Sequence, residues 1–164
     1  MQNKAFNGFI LTLSIIGILI AGYLWNLHAT PELIPCGRSG GCATVALSPY
    51  SRFPVGTGLP IAAWGTAGYI GLLILSAIRL LPLPTQLTRV AHNLQGLGLI
   101  AGVLASVILM YIQAVVIHAF CKWCLASEVV MAFMLIVYIV EWRGQRQSGR
   151  RHGQRPSCRA RGAG

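Results

Sequence analysis

The chain has 164 residues, 55% of them hydrophobic and only 10% charged, a balance that excludes an ordinary water-soluble domain and reads as an integral membrane protein. The formal charge of +10 is concentrated in the tail "RGQRQSGRRHGQRPSCRARGAG", which has no apolar periodicity. We read residues 143–164 as a disordered, Arg-rich segment touching anionic lipid, and nucleic-acid binding is not expected.

In chain order, the first element is a membrane span over about 6–28, because no Asp, Glu, Lys or Arg occurs from Ala5 to Pro31 and roughly 20 apolar residues cross the hydrocarbon. The run exceeds the roughly 7–15 residues of a signal-peptide core, and "LWNLHATPEL" offers no small-x-small cleavage site, so a retained anchor is predicted. Residues 29–59 form a loop. It opens with "HATPELIPCGRSGGCATV", whose Pro, Gly and Ser break regular structure, and returns to the membrane through Val45, Leu47, Tyr50 and Phe53 as a half-helix able to cap a bundle mouth. A second span covers about 60–79. "RLLPLPTQLTR" is a short connection, and a third span covers about 92–117. A fourth, about 122–141, requires Glu128 in its first turns, because a charge at mid-membrane costs at least about 2.5 kcal/mol. Small residues in "GTAGYIG" and "GLIAG" predict close helix packing inside a monomeric bundle. The predicted fold is therefore an all-α integral membrane protein: a four-transmembrane-helix bundle over 1–142 with a loop and half-helix cap.

Four spans put both termini on one side. That side holds Lys4, Arg79, Arg89 and the seven tail arginines, ten of the 13 basic residues, against Arg38, Arg52 and Lys122 on the other. The positive-inside rule makes both termini cytoplasmic and turns the cap outward.

Of five cysteines, Cys158 falls in the tail, on the reducing side, whereas Cys36, Cys42, Cys121 and Cys124 fall on the outward face, where disulfides persist. Four thiols allow three pairings, and the residues alone leave them open: a loop disulfide Cys36–Cys42, a helix-start disulfide Cys121–Cys124, or a loop cysteine crossing to the fourth helix. "CKWC" opens that helix, so unsatisfied backbone N–H groups and Lys122 favour a thiolate. Redox use is the preferred reading over a stapled scaffold or transporter subunit. A tetrahedral zinc site is disfavoured by the oxidising exterior and by the long first spacing. Cys124 lies one step deeper than Cys121, where a lipid-soluble acceptor such as a quinone would arrive.

Taken together, "CGRSGGC", Ser48 six residues later, "GLPIAAWGTAGY" and "CKWCLAS" resemble the vitamin K epoxide reductase family in its bacterial form, over roughly Phe6 to Trp142. The resemblance implies a disulfide-generating enzyme of oxidative protein folding in the inner membrane, with its site on the periplasmic face. It implies that Cys36 meets an external thiol, that Cys42 exchanges with Cys121, and that Cys124 faces a quinone of the ubiquinone, menaquinone or phylloquinone type. Ser48 would lie near the quinone head as a hydrogen-bond donor. Many bacterial relatives carry a fused thioredoxin-like domain after the fourth helix; here an Arg-rich tail follows, so a separate periplasmic thioredoxin-fold oxidase is the expected partner.

Two further residues join the candidate quinone site. Glu128 follows Cys124 by four positions and shares its helix face, as a proton relay or as a carboxylate paired with Lys122. Ser127 either faces the quinone or bonds back to its own helix. His28 and His118 are read as interface anchors.

Overall fold

The computed structural model of the chain describes residues 4–29, 41–55 and 58–153. Cys36, Cys158 and residues 154–164 lie outside them. The elements are α1 (Lys4–Ala29), α2 (Gly41–Leu47), a 3₁₀ turn (Pro49–Ser51), β1 (Arg52–Phe53), β2 (Leu59–Pro60), α3 (Ile61–Leu80), α4 (Thr85–Tyr111), a π-helical turn (Ile112–Ile117) and α5 (Lys122–Gly153). Among the described residues, four helical segments are long and apolar enough to cross a membrane: Lys4–Leu27, Ile61–Leu80, Thr85–Ile117 and Lys122–Gln147.

α1 packs against α3 and α5, and α4 packs against the same two helices. The long helices therefore form a ring in the order α1, α3, α4, α5. Large apolar side chains such as Phe9, Leu19, Leu97, Leu104 and Ile136 turn outward, where the hydrocarbon tails of lipid are as good a solvent as protein. The core is Ile10 and Ala21 of α1, Tyr69 and Leu72 of α3, Leu99 of α4 and Met131 and Met134 of α5. α1 and α3 come so close that a Cβ on Gly17 would run into the Tyr69 ring.

The sequence reading and the structure differ in four places. The cap holds a short helix, as expected, but also a minimal antiparallel ladder pairing Arg52 with Pro60 and Phe53 with Leu59. α5 continues to Gly153, so the tail begins as helix. Extending an existing helix fixes one residue per hydrogen bond gained, and Gln145 donates to Glu141 at 3.0 Å while Arg146 lies 3.8 Å over the Trp142 ring. Of the small residues predicted to close helix contacts, Gly65, Gly98 and Gly102 do meet neighbours, but a Cβ on Gly68 or Gly71 would enter open space. These two line a cavity instead.

The fourth difference is Arg79. Read as a loop charge, it is buried and paired with Glu141, each side chain 1% exposed. Its second guanidinium nitrogen donates to Gln95 Oε1 at 2.5 Å, Gln95 Nε2 donates to Ser76 Oγ at 2.8 Å, and Asn7 Nδ2 donates to the Ser76 carbonyl at 2.7 Å. Residues from all four long helices thus form one polar cluster. In a low-dielectric interior an arginine this deep needs its carboxylate.

Candidate functional site

The opposite end of the ring is built by the turn between α4 and α5. α4 does not end cleanly: it loosens into a π-helical turn, a rare geometry enriched at functional sites. Its last residue is followed by His118, the one non-glycine residue with positive φ (53°) among those described. The N–H groups of His118 and Ala119, the latter at 3.1 Å, both donate to the Gln113 carbonyl. The Gln113 side chain then takes the Cys121 N–H on its Oε1 at 3.0 Å. One residue thus holds the turn by its main chain and the first cysteine by its side chain.

Cys121 stands immediately before α5 and serves as its N-cap through sulfur. Its Sγ accepts the Cys124 N–H at 3.3 Å, and its carbonyl accepts the Leu125 N–H at 3.0 Å. The Cys121 thiol is held down at about 7, first by a hydrogen bond from the Cys124 thiol, against the opposing effect of burial, and with help from the N–H groups of Cys124 and Trp123. These are the unsatisfied donors of a helix start, which favour an anion.

The cap delivers Cys42 to the same place. α2 starts at Gly41, where a Cβ would sit 2.7 Å from the Phe120 carbonyl oxygen, so the absence of a side chain lets the cap lie on the α4–α5 turn. Cys42 and Cys121, 4% and 2% exposed, form one buried cluster walled by Leu24, Val45 and Cys124. Cys121 and Cys124 are free thiols, whereas Cys42 is disulfide-bonded. Its partner is therefore neither of them.

Below the cysteines a cavity of about 520 Å³ opens inside the ring. Cys42, Ser48, Cys121, Cys124, Ser127 and Glu128 all line it, with Gly68 and Gly71 giving it width. The size and the mostly apolar wall suit a small organic molecule. Ser48 donates its hydroxyl to the Val45 carbonyl at 2.9 Å. Ser127 is engaged by a residue that sequence reasoning missed, Tyr69, whose hydroxyl lies 2.8 Å from the Ser127 carbonyl and 3.0 Å from Ser127 Oγ. Glu128 makes no ion pair with Lys122 among the described residues, where Arg79–Glu141 is the ion pair formed.

A model of the vitamin K epoxide reductase family matches residues 9–139, a segment that includes the cap, the cavity-lining helices and the Cys-Lys-Trp-Cys turn. The chain belongs to the vitamin K epoxide reductase family. It is accordingly a multi-pass membrane oxidoreductase of the thiol–disulfide and quinone class. Proteins of this family use quinones as electron acceptors and work with a thioredoxin-like partner.

Gln113 also escaped the sequence reading. Its signal was there: an amide within the otherwise apolar stretch "ILMYIQAVVI" must find a partner when buried, because an unpaired amide in an apolar setting costs about 1–3 kcal/mol.

Proposed function

We propose that this vitamin K epoxide reductase homologue generates disulfides, carrying electrons from a separate periplasmic thioredoxin-fold oxidase through Cys36/Cys42 to Cys121/Cys124 and on to a membrane quinone. The supporting observation is the shared burial of Cys42 and Cys121 at the mouth of a cavity that Cys124 also lines. In this reading the protein is of bacterial type, sits in the inner membrane as a monomer with both termini in the cytoplasm, and turns its cysteines to the periplasm. The quinone is of the ubiquinone, menaquinone or phylloquinone type.

The partner's dithiol first reduces the Cys36–Cys42 disulfide, two electrons and two protons passing inward as the partner is oxidised. The Cys42 thiolate then attacks the Cys121 sulfur of an oxidised Cys121–Cys124 pair. The bond between Cys121 and Cys124 breaks, a Cys42–Cys121 bond forms and Cys124 leaves as thiolate. Attack by Cys36 on Cys42 restores the loop disulfide and frees Cys121, whose low pKa makes it a good leaving group. The free Cys121 and Cys124 thiols beside a disulfide-bonded Cys42 correspond to this stage. Closing the inner disulfide releases two electrons and two protons, and a quinone takes up both as it becomes the quinol. Glu128, half-buried on the cavity wall, is the residue suited to pass a proton.

The reading is tested by quinone reduction in detergent with a reduced thioredoxin-fold donor, comparing wild type with Cys36→Ala, Cys42→Ala, Cys121→Ala and Cys124→Ala. Loss of turnover in all four is expected. Wild-type protein that reduces no quinone with any donor would instead make the cysteines staples of a membrane scaffold.

A further inference from the structure

Three hydroxyl groups of the cap and of α3 that line the cavity are committed within the protein. Ser48 bonds the Val45 carbonyl, Ser51 bonds the Ala46 and Ser48 carbonyls, and Tyr69 bonds Ser127. Gln113 is different. It lines the cavity and is 4% exposed, and its Oε1 is occupied by the Cys121 N–H, which settles which end of the amide is nitrogen. Nε2, with two N–H donors, makes no hydrogen bond among the described residues. An acceptor in the cavity would therefore meet an oriented donor on the residue that also anchors Cys121.

We propose that Gln113 is a quinone-binding residue whose Nε2 donates to a carbonyl oxygen of the acceptor while Oε1 stays on the Cys121 N–H. The inference rests on the proposed function and adds to it a residue for the substrate head. The carbonyl oxygen gains negative charge as electrons arrive from the thiols, so a fixed donor holds it more tightly in the transition state than in the ground state. Anchoring the amide on Cys121 sets the reacting carbonyl beside the thiol pair without a mobile loop.

The test uses full-length protein in detergent, a short-chain menaquinone as acceptor and a dithiol as donor. Gln113→Met keeps the length of the side chain and removes both hydrogen bonds. Its kcat/KM for the quinone is expected to fall roughly 10- to 100-fold, the weight of one hydrogen bond to a group that gains charge. Reduction of the oxidised protein by the dithiol without quinone, which senses only the lost anchor on the Cys121 N–H, is expected to fall by a clearly smaller factor. Equal losses in the two half-reactions would make Gln113 only a support for Cys121, and a kcat/KM within about threefold of wild type would remove it from the site; either result overturns the proposal. Infrared spectra of carbonyl-labelled menaquinone bound to wild type decide the question even if the variant fails to fold: one carbonyl band shifts down on binding, and two unshifted bands contradict the assignment. Wild-type protein that reduces no quinone would defeat the proposed function and this inference together, whereas an active wild type matched by the variant defeats this inference alone.

Discussion

The backbone N–H of Cys124 points at the sulfur of Cys121, 3.3 Å away, so the second cysteine of the pair helps to ionise the first. With Cys121 held at about 7, about half of it is thiolate at neutral pH, near the optimum for an exchanging thiol. Thiolate absorbance followed against pH is expected to show a transition near 7. In Cys124→Ala the bond from the Cys124 thiol is gone, and the transition is expected to move up toward the free-thiol value of about 8.5. Exchange through Cys121 should slow by about tenfold per unit as pH falls below 7. The sign for stability is the same: the folded thiol ionises below the unfolded one, so the reduced protein gains stability as pH rises from about 7 to about 8.5 and loses it on the way back down.

Gly41→Ala tests how the cap is seated. The added Cβ would lie 2.7 Å from the Phe120 carbonyl oxygen, against backbone that cannot swing aside as a side chain would. α2 must lift, and Cys42 moves from Cys121. Turnover with the protein donor is expected to drop at least about tenfold, while quinone reduction driven by a small dithiol acting directly on Cys121/Cys124 stays near wild type. Equal loss with both donors would mean that the change damaged the whole site.

Arg79 and Glu141 predict a stability effect separable from chemistry. Glu141→Gln strands a buried guanidinium and is expected to cost about 3–5 kcal/mol, read as a lower thermal midpoint in detergent. The paired replacement Arg79→Met with Glu141→Leu, which removes both charges, is expected to recover most of that loss. The cluster lies at the end of the ring away from the cysteines, so quinone reduction at low temperature should survive in both proteins.

Tyr69→Phe removes only the hydroxyl that ties α3 to Ser127. A loss of about 1 kcal/mol in stability is expected. KM for quinone should rise modestly with kcat little changed, because the first turns of α5 lose a tether while the thiols keep their own hydrogen bonds.

The helices were legible wherever local composition decides structure. Long runs without charge can only cross a membrane as helices, and the spacing of Cys121 and Cys124 announces a helix-start thiol pair. What could not be read depends on partners far apart in sequence. Arg79 reads as a solvated charge until Glu141, 62 residues later, arrives beside it. Gly68 and Gly71 read as helix contacts, because nothing local says that the ring leaves its centre open. The π-helical turn follows from how α4 must end to bring Gln113 eight residues back from Cys121. Ser48 was legible as a cap residue, but its commitment to the Val45 carbonyl is a detail of the local turn that spacing does not show.

The most direct test of the relay is to trap its central bond. In protein carrying Cys36→Ala and Cys124→Ala, Cys42 and Cys121 each lose the partner assigned to them, and mild oxidation followed by mass spectrometry of the digest is expected to find a Cys42–Cys121 disulfide in high yield. The matched control, Cys36→Ala with Cys121→Ala, is expected to give much less Cys42–Cys124 product. If Cys42 and Cys121 stay as free thiols, or if Cys42 joins Cys124 just as readily, electrons do not pass from the cap to the helix pair through these two sulfurs.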